Sequence, residues 1–157
     1  MSTHIDGRGS GPQKLLFSFL KELYPTQKIH YEFYIEELNQ RIDLYLPYLG
    51  LAIEYDGRQH SEYIPYFHKD YSDFNLGKLL DKKKNNFLIE SGIKLIRIPH
   101  NKILTSAADL KQLIDSVEYP SEEFKILEET NSRHKSVLEK QRNYRKEQYK
   151  KYKDKTK

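Results

Sequence analysis

The stretch Arg41 to His60, RIDLYLPYLGLAIEYDGRQH, limits what this chain can fold into more than any other. From Arg41 to Leu46, Ile42, Leu44 and Leu46 alternate with Arg41, Asp43 and Tyr45. From Leu51 to Asp56, Leu51, Ile53 and Tyr55 alternate with Ala52, Glu54 and Asp56. Alternation of this kind predicts two strands with one packed face. Pro47-Tyr48-Leu49-Gly50 between them has the length of a hairpin loop. Pairing Leu46 with Leu51 sets Asp43 opposite Glu54 and Asp56 opposite Arg41. A slip of one residue would turn the carboxylates onto the packed face, so the apolar pattern favours this register.

Like charges facing each other destabilise a strand pair unless a cation lies between them. A divalent metal is one such cation. Held by acids near basic helices, it points to phosphodiester chemistry. The competing reading is a solvated face that carries three acids.

The rest of the chain supplies the surroundings. Ser10-Gly11-Pro12-Gln13 is a helix start, with Ser10 as cap, and Leu15, Leu16, Phe19, Leu20 and Leu23 make the apolar face of a helix that ends at Tyr24-Pro25. Lys28 to Ile35 alternates as a strand. Arg58 to Asp73 is an aromatic, irregular loop of a length associated with function. A helix over about Phe74 to Ser91 is expected to turn Leu76, Leu80, Phe87 and Leu88 inward, with Gly92 at its C-cap. Ile93 to Ile98 reads as a strand and Ser106 to Val117 as an amphipathic helix. Lys94 and Arg97 point to opposite faces of that strand by parity. The strand-helix-strand step from 51 to 98 predicts a right-handed crossover and a parallel pair, and the first three strands an antiparallel meander.

Charge is unevenly spread. The chain of 157 residues carries +4, but Arg133 to Lys157 holds eleven Lys/Arg against three Asp/Glu, or +8, which leaves −4 for the remainder. An acidic body with a basic tail fits a polyanion-binding protein. The tail interleaves Arg142, Tyr144, Arg145, Lys146, Tyr149, Lys150, Lys151 and Tyr152, a pattern suited to phosphate contact with occasional base stacking. Solubility and disorder are the alternative, and as a structure the tail is either a projecting helix or a segment that orders on binding.

There is no cysteine, which excludes disulfides, thiolate zinc sites and a cysteine nucleophile. No apolar run approaches the roughly 18 residues of a membrane span. The leader MSTHIDGRGSG lacks the apolar core of a signal peptide. The expectation is a soluble, intracellular, cytoplasmic protein with a flexible leader at 1–9, a core domain at 10–120 and a basic helical extension at 121–157.

Three blocks, RIDLYLP, LAIEYDGRQH and DKKKNNFLIESGIKLIRIPH, fall in order over roughly residues 10 to 100. In that order and spacing the chain resembles the PD-(D/E)XK nuclease superfamily, in particular its small single-domain branch related to very-short-patch repair endonucleases. The resemblance implies an α/β, restriction-endonuclease-like αβββαβ core: a mixed four-stranded sheet flanked by helices. It implies a magnesium- or manganese-dependent DNA endonuclease, of homing, repair or mobile-element type, that leaves a 5′-phosphate. Asp43 matches the family's metal-binding aspartate and Glu54 its second acid, with Asp56 a further candidate ligand. The family often places lysine where Asp56 stands; Lys84 in Asp81-x-x-Lys84 is the substitute from a neighbouring helix. Gln13 stands near the place of a glutamate in the family's first helix.

His60 or Gln59 lies where a group would position water or leaving group. His60 is equally read as a surface histidine, His68 as a structural one, and Asp81 with Lys84 as a surface ion pair. A double-strand cutter of this size would work as a homodimer. The other readings are a nucleic-acid-binding module on the same fold whose chemistry has lapsed, and an interaction protein whose tail binds a partner helix.

Overall fold

The computed structural model describes residues 11–56 and 71–155. Ser10, the aromatic loop as far as Asp70 with His60 and His68, and the leader lie outside the described residues; Tyr71 to Asp73, expected in that loop, are helical. Helix α1 (Gly11–Leu23) is followed by strands β1 (His30–Ile35), β2 (Gln40–Leu46) and β3 (Leu51–Asp56). Helix α2 (Tyr71–Glu90), strand β4 (Lys94–Pro99) and helices α3 (Ala107–Ser116) and α4 (Leu127–Lys155) complete the order. The protein is α/β: a mixed four-stranded sheet flanked by helices, in strand order β1-β2-β3-β4. The first three strands run antiparallel, and β3 and β4 are parallel.

The hairpin register is the expected one, with Leu46 opposite Leu51 and Leu44 opposite Ile53. Gly50 closes the turn at φ +57°, and a Cβ there would run into the Phe124 ring. Gly92 ends α2 at φ +77° with the Glu123 backbone against it. Both positions require the left-handed region, which glycine enters without steric cost.

The sheet is packed on both faces, not one. Leu44, Leu46, Leu51, Ile53, Ile96 and Ile98 pack under α1 and α3 with Leu16, Leu20, Leu110 and Ile114. Ile35, Ile42, Tyr45, Ala52, Leu88, Ile93 and Leu127 form a second core on the other side. Tyr45, expected on the polar face, is fully buried there. Its hydroxyl accepts the Leu127 amide at 3.2 Å and so ties the start of α4 to the sheet. Lys28 and His30 reach Glu128 from β1 and the loop before it. Burial alone would raise the Glu128 carboxyl, but the His30 and Lys28 contacts hold it below its ordinary value.

The strict alternation predicted for β1 and β2 fails at one level. Ile42 and Leu44 share a parity yet lie in opposite cores, and so do Phe33 and Tyr31. Between them, Glu32 and Asp43 drop out of the paired register, and Glu32 adopts φ +52°. Both strands change face at the same rung.

Helix α2 is also turned differently from expectation. Leu88 is buried and Phe87 partly so, but Leu76 and Leu80 are exposed. The residues turned toward the sheet are Asp81, Lys84, Asn85 and Leu88, spaced i, i+3, i+4 and i+7. The apolar-stripe reading holds at Phe87 and Leu88 and fails at Leu76 and Leu80, because the sheet facing Asp81, Lys84 and Asn85 carries Glu54, Asp56 and Arg97, which call for polar partners. The tail is a helix throughout Leu127–Lys155. No helix of the described residues is long and apolar enough to cross a membrane.

Candidate active site

Glu54 leaves β3 on the side covered by α2 and is 5% exposed. A carboxylate so placed needs partners. Lys84, itself 8% exposed, supplies one: its Nζ lies 2.7 Å from Glu54 Oε1 and donates also to the Arg41 carbonyl at 2.6 Å. Asp43 supplies the other. β2 and β3 are paired only as far as Leu44 and Ile53. At the next position the Asp43 carboxylate replaces the ladder, with Oδ2 accepting the Tyr55 amide at 2.8 Å. Asp43 lies close enough to Glu54 for its charge to act on that carboxyl. The break in alternation at the Glu32–Asp43 level thus releases an acid to the end of the β3 ladder.

Burial pushes the Glu54 carboxyl up to about 8, and the neighbouring Asp43 charge adds to the shift, while Lys84 opposes it. The two acids form a close pair in which one carboxyl tends to keep its proton at neutral pH. A divalent cation is the natural replacement for that proton.

Asp56 is placed differently. Its expected neighbour was Arg41, but Arg41 reaches Glu32 on β1 at 3.4 Å. Asp56 Oδ1 instead takes Nη1 of Arg97 at 2.6 Å. Arg97, opposite Glu54 in the parallel β3–β4 register, also donates from Nε to Asn85 Oδ1 at 2.8 Å. Its Nη2 is 4.0 Å from Asp81 Oδ1. Asp81 therefore faces Arg97, while Lys84 spans to Glu54. Lys94 points to the opposite face, as parity requires, and donates to the Ile114 carbonyl at 3.0 Å. Gln13 on α1 accepts from the Tyr31 hydroxyl at 3.2 Å. Arg97 and Asn85 were not among the expected site residues. The signal for Arg97 was available in IKLIRI, where its parity is opposite to Ile96 and Ile98 and the parallel pairing sets it beside Glu54.

Asp43, Glu54 and Lys84 thus come together, Asp56 sits beside them on Arg97, and Gln59 and His60 fall outside the described residues. Among the described residues no group of three His, Cys, Asp or Glu side chains is placed to hold a metal. The donor set is two carboxylates. That is few for calcium, but magnesium is commonly bound through one or two carboxylates with water and substrate phosphate completing its shell. The pair therefore fits magnesium or manganese as a partly protein-bound ion.

Arg142, Tyr144, Arg145, Lys146, Tyr149, Lys150, Lys151 and Tyr152 all lie exposed on α4. At 100° per residue, Arg142, Arg145, Lys146 and Lys150 fall on one ridge with Tyr149 and Lys153, and the Lys153 ammonium lies 5.3 Å from the Tyr149 ring centre. Tyr144 and Lys151 turn away from that ridge.

No family model matches the chain, and no solved structure matches it. Two curated viral proteins are similar over part of it. Uncharacterized protein 307L of Invertebrate iridescent virus 6 is 37% identical over 62 residues, covering 40% of this chain and 32% of that protein. Uncharacterized protein 033L of Invertebrate iridescent virus 3 is 32% identical over 62 residues, with the same shares. The chain spans about a third of the length of these relatives.

Proposed function

We propose that this chain is a metal-dependent endonuclease that hydrolyses DNA phosphodiester bonds, built on a restriction-endonuclease-like core of the PD-(D/E)XK type. The observation that carries the reading is the buried Glu54 between Asp43 and the Lys84 ammonium. Two carboxylates and a lysine converging on the end of a strand ladder are the parts a phosphodiester hydrolase needs. The element order helix, three strands, helix, strand agrees with that core.

Asp43 and Glu54 would hold one magnesium or manganese ion, which when bound activates water and offsets charge on the phosphoryl oxygens. The chain's own groups do the rest. The Tyr55 amide fixes the Asp43 carboxylate in orientation. Lys84 has three N–H donors and directs two, to Glu54 and the Arg41 carbonyl, leaving one for a phosphoryl oxygen or the attacking water. It thereby fills the role of the lysine that Asp56 displaces. The basic ridge of α4 would bind the DNA backbone, and a homodimer would bring two such sites to a duplex.

A second reading is a nucleic-acid-binding module without chemistry. It is favoured by one observation, the Arg97-paired Asp56 where lysine is usual. Magnesium-dependent nicking of supercoiled plasmid separates the two. Cleavage by the intact chain, lost in Asp43→Asn and Glu54→Gln proteins that still bind DNA, is the expected result. Salt-sensitive binding with no cleavage in magnesium or manganese would leave only the binding module.

A further inference from the structure

We propose that Arg97 is a built-in counter-cation that withholds Asp56 from the metal, leaving Asp43 and Glu54 as a two-carboxylate centre for a single ion. The inference rests on the nuclease reading above and specifies how many ions that site takes.

Arg97 divides its fork between two elements. Nη1 is 2.6 Å from Asp56 on β3, and Nε is 2.8 Å from Asn85 on α2. Nη2 is buried, has no hydrogen-bond partner among the described residues, and lies 4.0 Å from Asp81 on α2. Asp56 and Arg97 are each about a quarter exposed or less, so solvent does not easily replace one for the other. Asp56 Oδ1 is held by a short charge-assisted bond, so an ion on the other carboxylate oxygen would sit beside a half-buried guanidinium. That guanidinium would then repel the incoming cation.

The charge count points the same way. Asp43, Glu54, Asp56 and Asp81 face Lys84 and Arg97 on this side of the sheet. Among the described residues, four acids against two bases leave a formal −2 when all are ionised, which one divalent ion neutralises and two would exceed. Two-metal hydrolases need acids enough for ions about 4 Å apart, and here the third acid is already matched. Arg97 is a positioning residue: it also pins α2 to β3 at the level from which Lys84 reaches Glu54.

The test is manganese titration of the full chain by calorimetry, with circular dichroism to verify folding. Wild type and Asp56→Asn are expected to take up one ion each with affinities within about threefold, since Asp56 is not a ligand. Arg97→Gln is expected to bind manganese about tenfold more tightly or to take a second ion, because an acid has been freed. Adding Asp56→Asn to Arg97→Gln should cancel the gain. A purely structural Arg97 would show the opposite sign, a loss of affinity on replacement, and that result overturns the proposal. So does a tenfold or greater loss in Asp56→Asn while wild type binds, which sinks the clamp but leaves the nuclease reading standing. If wild type takes up no manganese even with DNA present, both fall together. Should Arg97→Gln not fold, Asp56→Asn alone decides.

Discussion

Lys84 and Glu54 are thirty residues apart in sequence and 2.7 Å apart in space, one from α2 and one from β3, both removed from solvent. The pair sets the character of the whole site. A lysine so placed is oriented by two acceptors and cannot drift, so its remaining N–H is aimed at fixed cost. On the nuclease reading, Lys84→Ala should lower plasmid cleavage by about 10²- to 10³-fold, the usual effect of losing one preorganised donor to a charged transition state. DNA affinity should change little. Single-turnover cleavage with separate binding measurements checks both.

The same pair predicts a pH dependence of stability in the metal-free protein. The Glu54 carboxyl is raised from 4.5 to about 8, by burial first and by Asp43 second. Between those values the folded chain keeps a proton that the unfolded chain has released, so the unfolded state binds fewer protons. Stability therefore declines as pH rises from 4.5 toward about 8 and levels off above that value. The slope from this group is at most about 1.4 kcal/mol per pH unit. Glu54→Gln should flatten it. Urea unfolding at a series of pH values in the presence of a chelator reads the difference, and identical profiles for the two proteins would remove the basis for the assignment.

Glu32 stands at the rung where β1 and β2 change face, with φ at +52°. An ordinary residue held there costs about 1–2 kcal/mol, which glycine does not incur. Its ion pair with Arg41 is long at 3.4 Å and exposed on the arginine side, so it returns little. Glu32→Gly is therefore expected to leave the fold intact and to stabilise it by about 1 kcal/mol. A loss of stability in denaturant melts would show that the side chain matters more than the backbone at this position.

Much of this arrangement was legible in the chain before folding, for identifiable reasons. Apolar alternation and the four-residue turn were enough to set Leu46 against Leu51 and to bring Asp43 next to Glu54, because register in a packed hairpin has few alternatives. Lys84 was reached by resemblance, and it lies 2.7 Å from Glu54. The facing of α2 was legible only at Phe87 and Leu88. Its inward residues Asp81, Lys84 and Asn85 look like a solvent face, and only their buried partners on β3 and β4 explain them. The change of face at Glu32 and Asp43 leaves no trace in a pattern of period two, since each strand reads as regular on either side of it. Nor does composition show that Leu127, at the head of a basic helix, belongs to the core. Such features depend on contacts far apart in sequence.

Helix α4 offers a graded prediction. Its exposed ridge of Arg142, Arg145, Lys146 and Lys150 can follow a phosphate backbone, whereas Lys151 turns away from it. If the ridge binds DNA, each ridge residue that touches a phosphate releases about one counterion on binding. Arg142→Ala, Arg145→Ala and Lys146→Ala should each weaken binding to any DNA sequence and reduce the slope of log affinity against log salt by about one. Lys151→Ala should change that slope less. If the ridge touches phosphates alone, the losses should be the same for different duplexes and should appear in affinity, not in the cleavage step once DNA is saturating. Fluorescence anisotropy across a salt series makes the comparison. Equal slopes for the ridge variants, Lys151→Ala and wild type would assign the tail to solubility alone.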